Sequence, residues 1–139
     1  MKRYGLYLLA FVATLLLLGG CVVIPGEVKA DPGQEFSLSI GQSAVISGEN
    51  FLIKFKEIVE DSRCPEGATC IWEGRVSAIV EITDNGSPYQ MVLTQSGLTD
   101  EYAEETYKEY RLTFKVEPYP EVGAEIASAD YRLLLTVSK

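Results

Sequence analysis

The sequence predicts an all-β domain, an antiparallel β-sandwich of about seven strands that is immunoglobulin-like or related, with a small β-barrel as the alternative. Apolar residues recur at every second position from residue 36 onward, a period that places one face of each strand in a core and the other in water. Asp84-Asn85-Gly86 follows the longest alternating run, and Asn-Gly favours a two-residue hairpin turn. Two sheets of this kind that pack face to face form a sandwich.

Seven alternating segments follow one another along the chain. They cover residues 36–40, 44–47, 51–59, 71–82, 89–93, 110–116 and 131–137. Pro118 and Pro120 end the sixth segment, because proline has no amide hydrogen to donate to a sheet. Residues 98–109 lean towards helix instead, and we expect a short helical turn there.

The first twenty residues differ from the rest and have the three parts of a secretory signal. Lys2 and Arg3 form a basic start, residues 6–18 are almost entirely apolar, and Gly19-Gly20 is a pair of small residues typical of a cleavage point. The apolar run of about 13 residues is shorter than the roughly 20 that a helix needs to cross a bilayer. We therefore expect a removable signal over residues 1–20 rather than a permanent transmembrane helix.

The end of this signal, Leu18-Gly19-Gly20-Cys21, resembles the lipobox of bacterial lipoproteins. The resemblance implies that a diacylglycerol, typically carrying palmitate, is attached to the Cys21 sulfur and that a signal peptidase cuts before this cysteine. Two or three acyl chains would hold the protein firmly to a membrane, since each buried methylene contributes about 0.8 kcal/mol. The expected location is the extracytoplasmic face of the cell envelope. Val22, where an aspartate would resemble an inner-membrane retention signal, favours the outer membrane if the host has one.

Residues 21–35 separate this anchor from the first predicted strand. The pairs Pro25-Gly26 and Pro32-Gly33 and the lack of sustained periodicity indicate a linker. About 14 flexible residues have a root-mean-square reach of roughly 20 Å. The predicted organisation is a signal at 1–20, a lipidated tether at 21–35 and a sandwich domain at 36–139.

Once Cys21 is assigned to lipid, two cysteines remain, Cys64 and Cys70. Export would place them in an oxidising compartment, where such a pair normally forms a disulfide. Their segment reads Asp61-Ser62-Arg63-Cys64-Pro65-Glu66-Gly67-Ala68-Thr69-Cys70-Ile71-Trp72-Glu73-Gly74. It resembles a pattern in uncharacterised secreted proteins and lipoproteins of bacteria, namely Asp-Ser-Arg-Cys-Pro, a short loop and Cys-x-Trp-x-Gly. This resemblance implies no particular activity.

The favoured interpretation of this segment is a structural staple between two strands. A disulfide that closes a loop of about seven residues stabilises a fold by roughly 2 kcal/mol in the chain-entropy model. Trp72 lies two residues beyond Cys70, so we expect it on the same strand face, packed toward the core or against the bridge. Asp61 and Arg63 are expected to pair with each other or to cap loop backbone groups. The alternative is a rigid loop presented to a partner, and a redox role is disfavoured by the wide spacing of the cysteines.

The chain contains no histidine, which removes the usual general base and the commonest zinc and copper ligand. We therefore predict no catalytic residue, no metal site, no cofactor and no enzymatic activity. The acidic stretch from Asp100 to Glu109 is interpreted as a solvated loop, although calcium also binds clustered carboxylates. Removal of Lys2 and Arg3 with the signal changes the net charge from −8 to −10, and this acidity argues against nucleic-acid binding.

Three functions are compatible with these residues. The first is a membrane-tethered binding module for an unknown protein or glycan of the cell envelope. Its candidate contacts are Arg63, Tyr102, Tyr107 and Tyr119, since tyrosine combines an apolar body with a polar tip. The second is an extracytoplasmic inhibitor that presents the Cys64–Cys70 loop. The third and least favoured is an enzyme that uses carboxylates alone.

Overall fold

The computed structural model of the protein describes residues 26–97 and 100–139, which form nine strands and one short 3₁₀ turn, Ser128–Asp130. The strands are β1 (Val28–Ala30), β2 (Glu35–Ser39), β3 (Ser43–Ile46), β4 (Phe51–Asp61), β5 (Arg75–Asp84), β6 (Ser87–Ser96), β7 (Ala103–Tyr107), β8 (Tyr110–Glu117) and β9 (Arg132–Ser138). The signal predicted at residues 1–20 and the lipidation predicted at Cys21 lie outside the described residues. In the described ranges, no helix is long and apolar enough to cross a bilayer.

The strands are arranged in two sheets. One has five strands in the order β1-β3-β4-β5-β6, and the other has four in the order β2-β9-β8-β7. Neighbouring strands run antiparallel, except that β1 pairs in parallel with β3. Contacts of β1 with β2 and of β6 with β7 show that the two sheets stack with their edges aligned. The predicted antiparallel β-sandwich is therefore confirmed, and the barrel alternative is not adopted.

The apolar residues of both sheets face each other and form one core. Its largest fully buried side chains include Phe51, Phe55 and Phe114. The period of two predicted from the sequence places further residues in it, among them Val76, Ala78, Val80, Ile82, Leu133, Leu135 and Val137. Asn85 and Gly86 both have positive φ and join β5 to β6, so the predicted hairpin is also confirmed.

The folded domain begins earlier than the sequence predicts, because β1 lies within residues 21–35, which were expected to form a linker. Residues 28–30 pair with residues 44–46, and Ala30 is buried. Three residues are too few to display a period of two, so this strand leaves no signature in the sequence. The segment between Cys21 and the domain is correspondingly shorter.

The helical turn predicted within residues 98–109 is wrong for the part that the structure describes, because β7 occupies residues 103–107 and pairs with β8. Lys108 adopts a φ of 52° in the tight turn between these strands, a conformation that glycine or asparagine usually supplies. The sequence therefore carries no turn signal at this point. Glu104 and Glu105 also have low strand propensity, and they are accommodated because β7 lies at a sheet edge.

Three connections meet at one end of the sandwich, which we call the disulfide end. They are residues 62–74 between β4 and β5, the chain that leaves β6 at Gly97, and residues 118–131 between β8 and β9. The opposite end contains the β5–β6 turn and the C-terminal Lys139, which bonds Glu49 at 2.9 Å. The distinctive sequence segment therefore lies at one end of the molecule, beyond the core.

Candidate functional site

The disulfide end is built around the predicted Cys64–Cys70 bridge, which is present with the two Cα atoms 5.9 Å apart. The bridge closes the loop that connects β4 to β5. The middle of this loop is fixed separately, because the Glu66 amide donates to the Pro120 carbonyl at 2.8 Å and the Val122 amide donates to the Glu66 carbonyl at 3.3 Å. The loop is thus held at both ends by sulfur and at its centre by the connection from the other sheet.

Arg63 ties this loop to the second sheet from the inside. Its side chain has no exposed surface, and its guanidinium donates two hydrogen bonds to the Asp61 carboxylate, at 2.8 Å from Nε and 2.6 Å from Nη2. Two further bonds reach the carbonyl oxygens of Val116 at 3.0 Å and Pro118 at 2.9 Å. Asp61 and Arg63 therefore pair with each other, and Asp61 also accepts a hydrogen bond from the Arg63 backbone amide at 3.4 Å, so both expected arrangements are present. Because the Arg63 side chain is buried, it cannot contact a partner as predicted, and its role is structural.

The Asp61 carboxylate is shared with Tyr131, whose hydroxyl donates to Oδ2 at 2.9 Å. Burial alone would raise the pKa of Asp61, but the hydrogen bonds and charge of Arg63, together with the Tyr131 hydroxyl, outweigh it and lower the pKa. Burial and the adjacent carboxylate raise the pKa of Tyr131 to about 12. The cluster is therefore an ionised carboxylate between a guanidinium and a neutral phenol.

Two glycines allow three backbone segments to approach closely beside this cluster. Gly74 has a φ of 67°, and a Cβ there would lie 2.1 Å from the Ser62 carbonyl oxygen. A Cβ on Gly97 would lie 2.5 Å from the Glu73 carbonyl oxygen. The Gly97 amide instead donates to the Gly74 carbonyl at 3.0 Å. The glycine of the Cys-x-Trp-x-Gly pattern is thus required by packing of the main chain.

Trp72 is exposed and precedes β5, so the prediction that it lies on a strand face and packs toward the core is wrong. The other expected position, against the bridge, agrees with the groove that Trp72 lines together with Cys64 and Cys70. Its side chain is 60% exposed, and that of the preceding Ile71 is 97% exposed. β5 begins only at Arg75, because the left-handed conformation of Gly74 interrupts the extended chain, and the alternation of β5 does not extend back to Trp72. Neighbours in a strand point to opposite faces, so the adjacent residues Ile71 and Trp72 could not both face the core. This adjacency was the sequence signal for an exposed apolar side chain.

An open groove of about 490 Å³ lies against Trp72 and the bridge. It is lined by Cys64, Pro65, Glu66, Gly67, Ala68, Cys70, Trp72, Gly97, Asp100 and Tyr119. Tyr119, a predicted contact residue, forms part of its wall. The Tyr119 ring lies 5.1 Å from the Arg63 guanidinium carbon, and its hydroxyl donates to the Gly97 carbonyl at 3.0 Å. Its position is therefore fixed by the same framework that holds the loop.

The other two candidate tyrosines do not line this groove. The Tyr102 hydroxyl donates to Glu35 Oε2 at 2.6 Å. Tyr107 packs against the rings of Phe51 and Tyr89, with centroid distances of 6.1 and 5.4 Å. Of the predicted contact residues, the groove thus includes Tyr119, whereas sequence reasoning did not identify Trp72, its most exposed aromatic wall.

The acidic residues of the stretch from Asp100 to Glu109 are dispersed by the fold. Asp100 lies in the groove wall and pairs with Lys115 at 2.9 Å, whereas Glu109 pairs with Lys139 at 3.0 Å at the opposite end. In the part of the chain that the structure describes, no three His, Cys, Asp or Glu residues are grouped so that they could hold a metal ion.

Comparisons with known proteins add no relative to this description. No family model, no curated protein and no solved structure matches the chain. The chemistry of the disulfide end therefore has to be interpreted from its own geometry.

The close approach at Gly74 predicts a large loss of stability for Gly74→Ala. Gly33→Ala is the matched control, because Gly33 also has a positive φ, of 79°, but open space around it. We expect the control to lose about 1 kcal/mol of unfolding free energy from its backbone conformation. Gly74→Ala should lose at least about 3 kcal/mol, since overpacking against Ser62 adds to that strain. Urea unfolding of both variants checks this, and equal losses would contradict the packing role.

The ion pair predicts a pH-dependent effect of Asp61→Asn. Removing one partner of a buried pair costs about 3–5 kcal/mol, so the variant should be less stable by that order at pH 7. The folded pKa of Asp61 is lowered, so its contribution is present above the unfolded value of about 4 and is lost as the pH falls through the folded pKa. The stability difference between wild type and variant should therefore shrink below about pH 4. Urea unfolding at several pH values measures it, and a constant difference would contradict the assignment.

Proposed function

We propose that the protein is a membrane-tethered lipoprotein of the cell envelope and that its domain is a non-catalytic binding module, which uses the disulfide end to contact a protein or glycan partner. The observation that carries this proposal is the exposure of Trp72. Its neighbours in the distinctive segment have structural roles: Asp61 and Arg63 form the ion pair, Cys64 and Cys70 form the bridge, and Gly74 permits close packing. Trp72 is 60% exposed, and the fold makes no comparable use of it.

The rigidity of the disulfide end favours a binding role. Side chains and loops that are already ordered lose less entropy when a partner binds. Tryptophan and tyrosine dominate the energetically important positions of interfaces because they bury a large area with few rotatable bonds. Trp72 and Tyr119 line one groove at this end, and the bridge, the Glu66 pairing and Arg63 hold that groove in shape.

The short segment before β1 supports a function close to the membrane. If Cys21 carries the lipid, six residues separate it from Val28, the first residue of β1. Six residues span at most about 22 Å even when fully extended. The domain would therefore stay near the membrane surface, where partners in the envelope can meet it.

The two alternative functions have less support from the site. An inhibitor that inserts this loop into a protease needs accessible residues and free backbone, but Arg63 is buried and both backbone groups of Glu66 are engaged. A carboxylate enzyme needs two free, facing acids. Glu66 and Asp100 line the same groove, but Asp100 is neutralised by Lys115. The binding module is therefore the function that we propose.

A photo-crosslinking residue at position 71 tests the binding role. In cells that export the full chain, Ile71 replaced by this residue should crosslink a defined envelope protein, and Trp72→Ala should reduce the yield. The control is the same replacement at Glu109, whose side chain is 66% exposed at the opposite end of the sandwich. Equal yields from both positions, or a yield that Trp72→Ala leaves unchanged, would argue against an interaction through Trp72.

A glycan partner would be detected by fluorescence instead, because Trp72 is the only tryptophan in the chain. Isolated envelope polysaccharide should then protect Trp72 from acrylamide quenching. If no protein crosslinks and no polysaccharide protects, the binding role is wrong.

The proposed anchor predicts that Cys21→Ser abolishes acylation and the cleavage before residue 21. Wild-type protein should fractionate with membranes, and the mass of its N-terminal peptide should include the lipid. Cys21→Ser should lack the lipid mass and no longer be cut before residue 21, since the lipobox resemblance implies that the peptidase cuts after the lipid is attached to this cysteine. Val22→Ala is the control and should remain acylated. An unmodified sulfur on Cys21 in the wild-type protein would refute the proposed anchor.

A further inference from the structure

Strand β6 forms an open edge of the five-stranded sheet, because it has a neighbour only on the β5 side among the described strands. The two-residue turn makes Asp84 and Ser87 a hydrogen-bonded pair, and such pairs alternate along an antiparallel ladder. The bond from the Gly97 amide to the Gly74 carbonyl fits this alternation at the far end. It follows that the backbone groups of Gln90, Val92 and Thr94 point away from β5, toward the open side.

The open edge of β6 lacks the charges that normally protect such strands. Its ten residues read Ser-Pro-Tyr-Gln-Met-Val-Leu-Thr-Gln-Ser, without one charged side chain. The other edge strands contain Lys29 in β1, Glu35 in β2, and Glu104 with Glu105 in β7. Charged residues, proline and short length are usual means by which proteins prevent pairing at sheet edges. β6 has ten residues and no charge, and its one proline, Pro88, lies beside the turn, so the edge from Gln90 to Thr94 is suited to receive another strand.

We propose that β6 is a self-association edge, at which a second copy of the chain adds its own β6 in antiparallel orientation around a two-fold axis at Val92. In this register, Val92 of one copy lies opposite Val92 of the other, and Gln90 lies opposite Thr94. Val92 is 52% exposed, and its partner on β5 is Ile79. The pairing would therefore extend an apolar row from Ile79 through both valines to Ile79 of the second copy.

Of the edge strands that the structure describes, β6 is the one at which a second copy would not bring charged side chains of the two strands together. The chain carries a net charge of −8, so two copies repel wherever acidic residues come together. The acids nearest this edge are Glu81, which lies opposite Gln90 and 3.7 Å from Lys56, and Glu73, which accepts a hydrogen bond from the Ser96 hydroxyl at 2.6 Å. The edge is also four strand spacings, about 19 Å, from β1, where the preceding chain enters the sheet. A tether at β1 would leave β6 accessible.

Paired substitutions at two equally exposed valines test this proposal on the full chain purified in mild detergent. Val92→Cys should form a disulfide-linked dimer under mild oxidation, whereas Val59→Cys, also 52% exposed but on the interior strand β4, should not. Val92→Lys should weaken self-association in sedimentation at least about ten-fold, because like charges would face each other, and Val59→Lys should leave it unchanged. Added salt should strengthen the dimer, since it screens repulsion between acidic copies.

Three results would overturn the proposal. These are a wild-type chain that stays monomeric at all concentrations, a Val59→Cys variant that crosslinks as well as Val92→Cys, or a Val92→Lys variant that self-associates as strongly as the wild-type chain. Sedimentation of the wild-type chain decides the question if a variant fails to fold.

Discussion

The Arg63 guanidinium joins the two sheets at the disulfide end, and the shape of that end depends on it. If Asp61 or the carbonyls of Val116 and Pro118 moved away, the buried guanidinium would lose its hydrogen-bond acceptors and its counter-charge. An unpaired buried charge is very unfavourable. The residues that follow Arg63 include the bridge, and those that follow Val116 include Tyr119. One side chain thus sets the distance between the two walls of the groove.

Rigidity and exposure are combined at this end in an uncommon way. Ordered loops usually become ordered by burying their large apolar residues, but this loop is held by sulfur, by the Glu66 pairing and by close glycine contacts. The loop consequently does not need Trp72 for its packing, and this side chain remains in contact with water. An exposed tryptophan beside an open groove is the kind of surface that marks interaction sites, and this is the physical basis for the proposed binding role.

The sequence predicted those features that arise from local patterns. The alternation of apolar residues gave the sandwich core, Asn85-Gly86 gave the hairpin, and the two remaining cysteines gave the bridge. It did not predict the acceptors of Arg63, because Val116 and Pro118 are more than fifty residues away in the chain and no local rule connects them. β1 was too short to be recognised. β7 was not predicted because the turn that follows it places a positive φ on Lys108 instead of on a glycine or asparagine. Trp72 was assigned to a strand that Gly74 interrupts.

Trp72 is held in a fixed position while it remains exposed to solvent, and the fluorescence of this single tryptophan tests that combination most directly. Acrylamide quenching measures the accessibility of the ring, and the decay of anisotropy measures its local motion. A Trp72 ring held in this way should be quenched efficiently, and its anisotropy should decay at the rate of overall tumbling. A poorly quenched ring, or a dominant fast decay from a loop that moves independently of the domain, would contradict it.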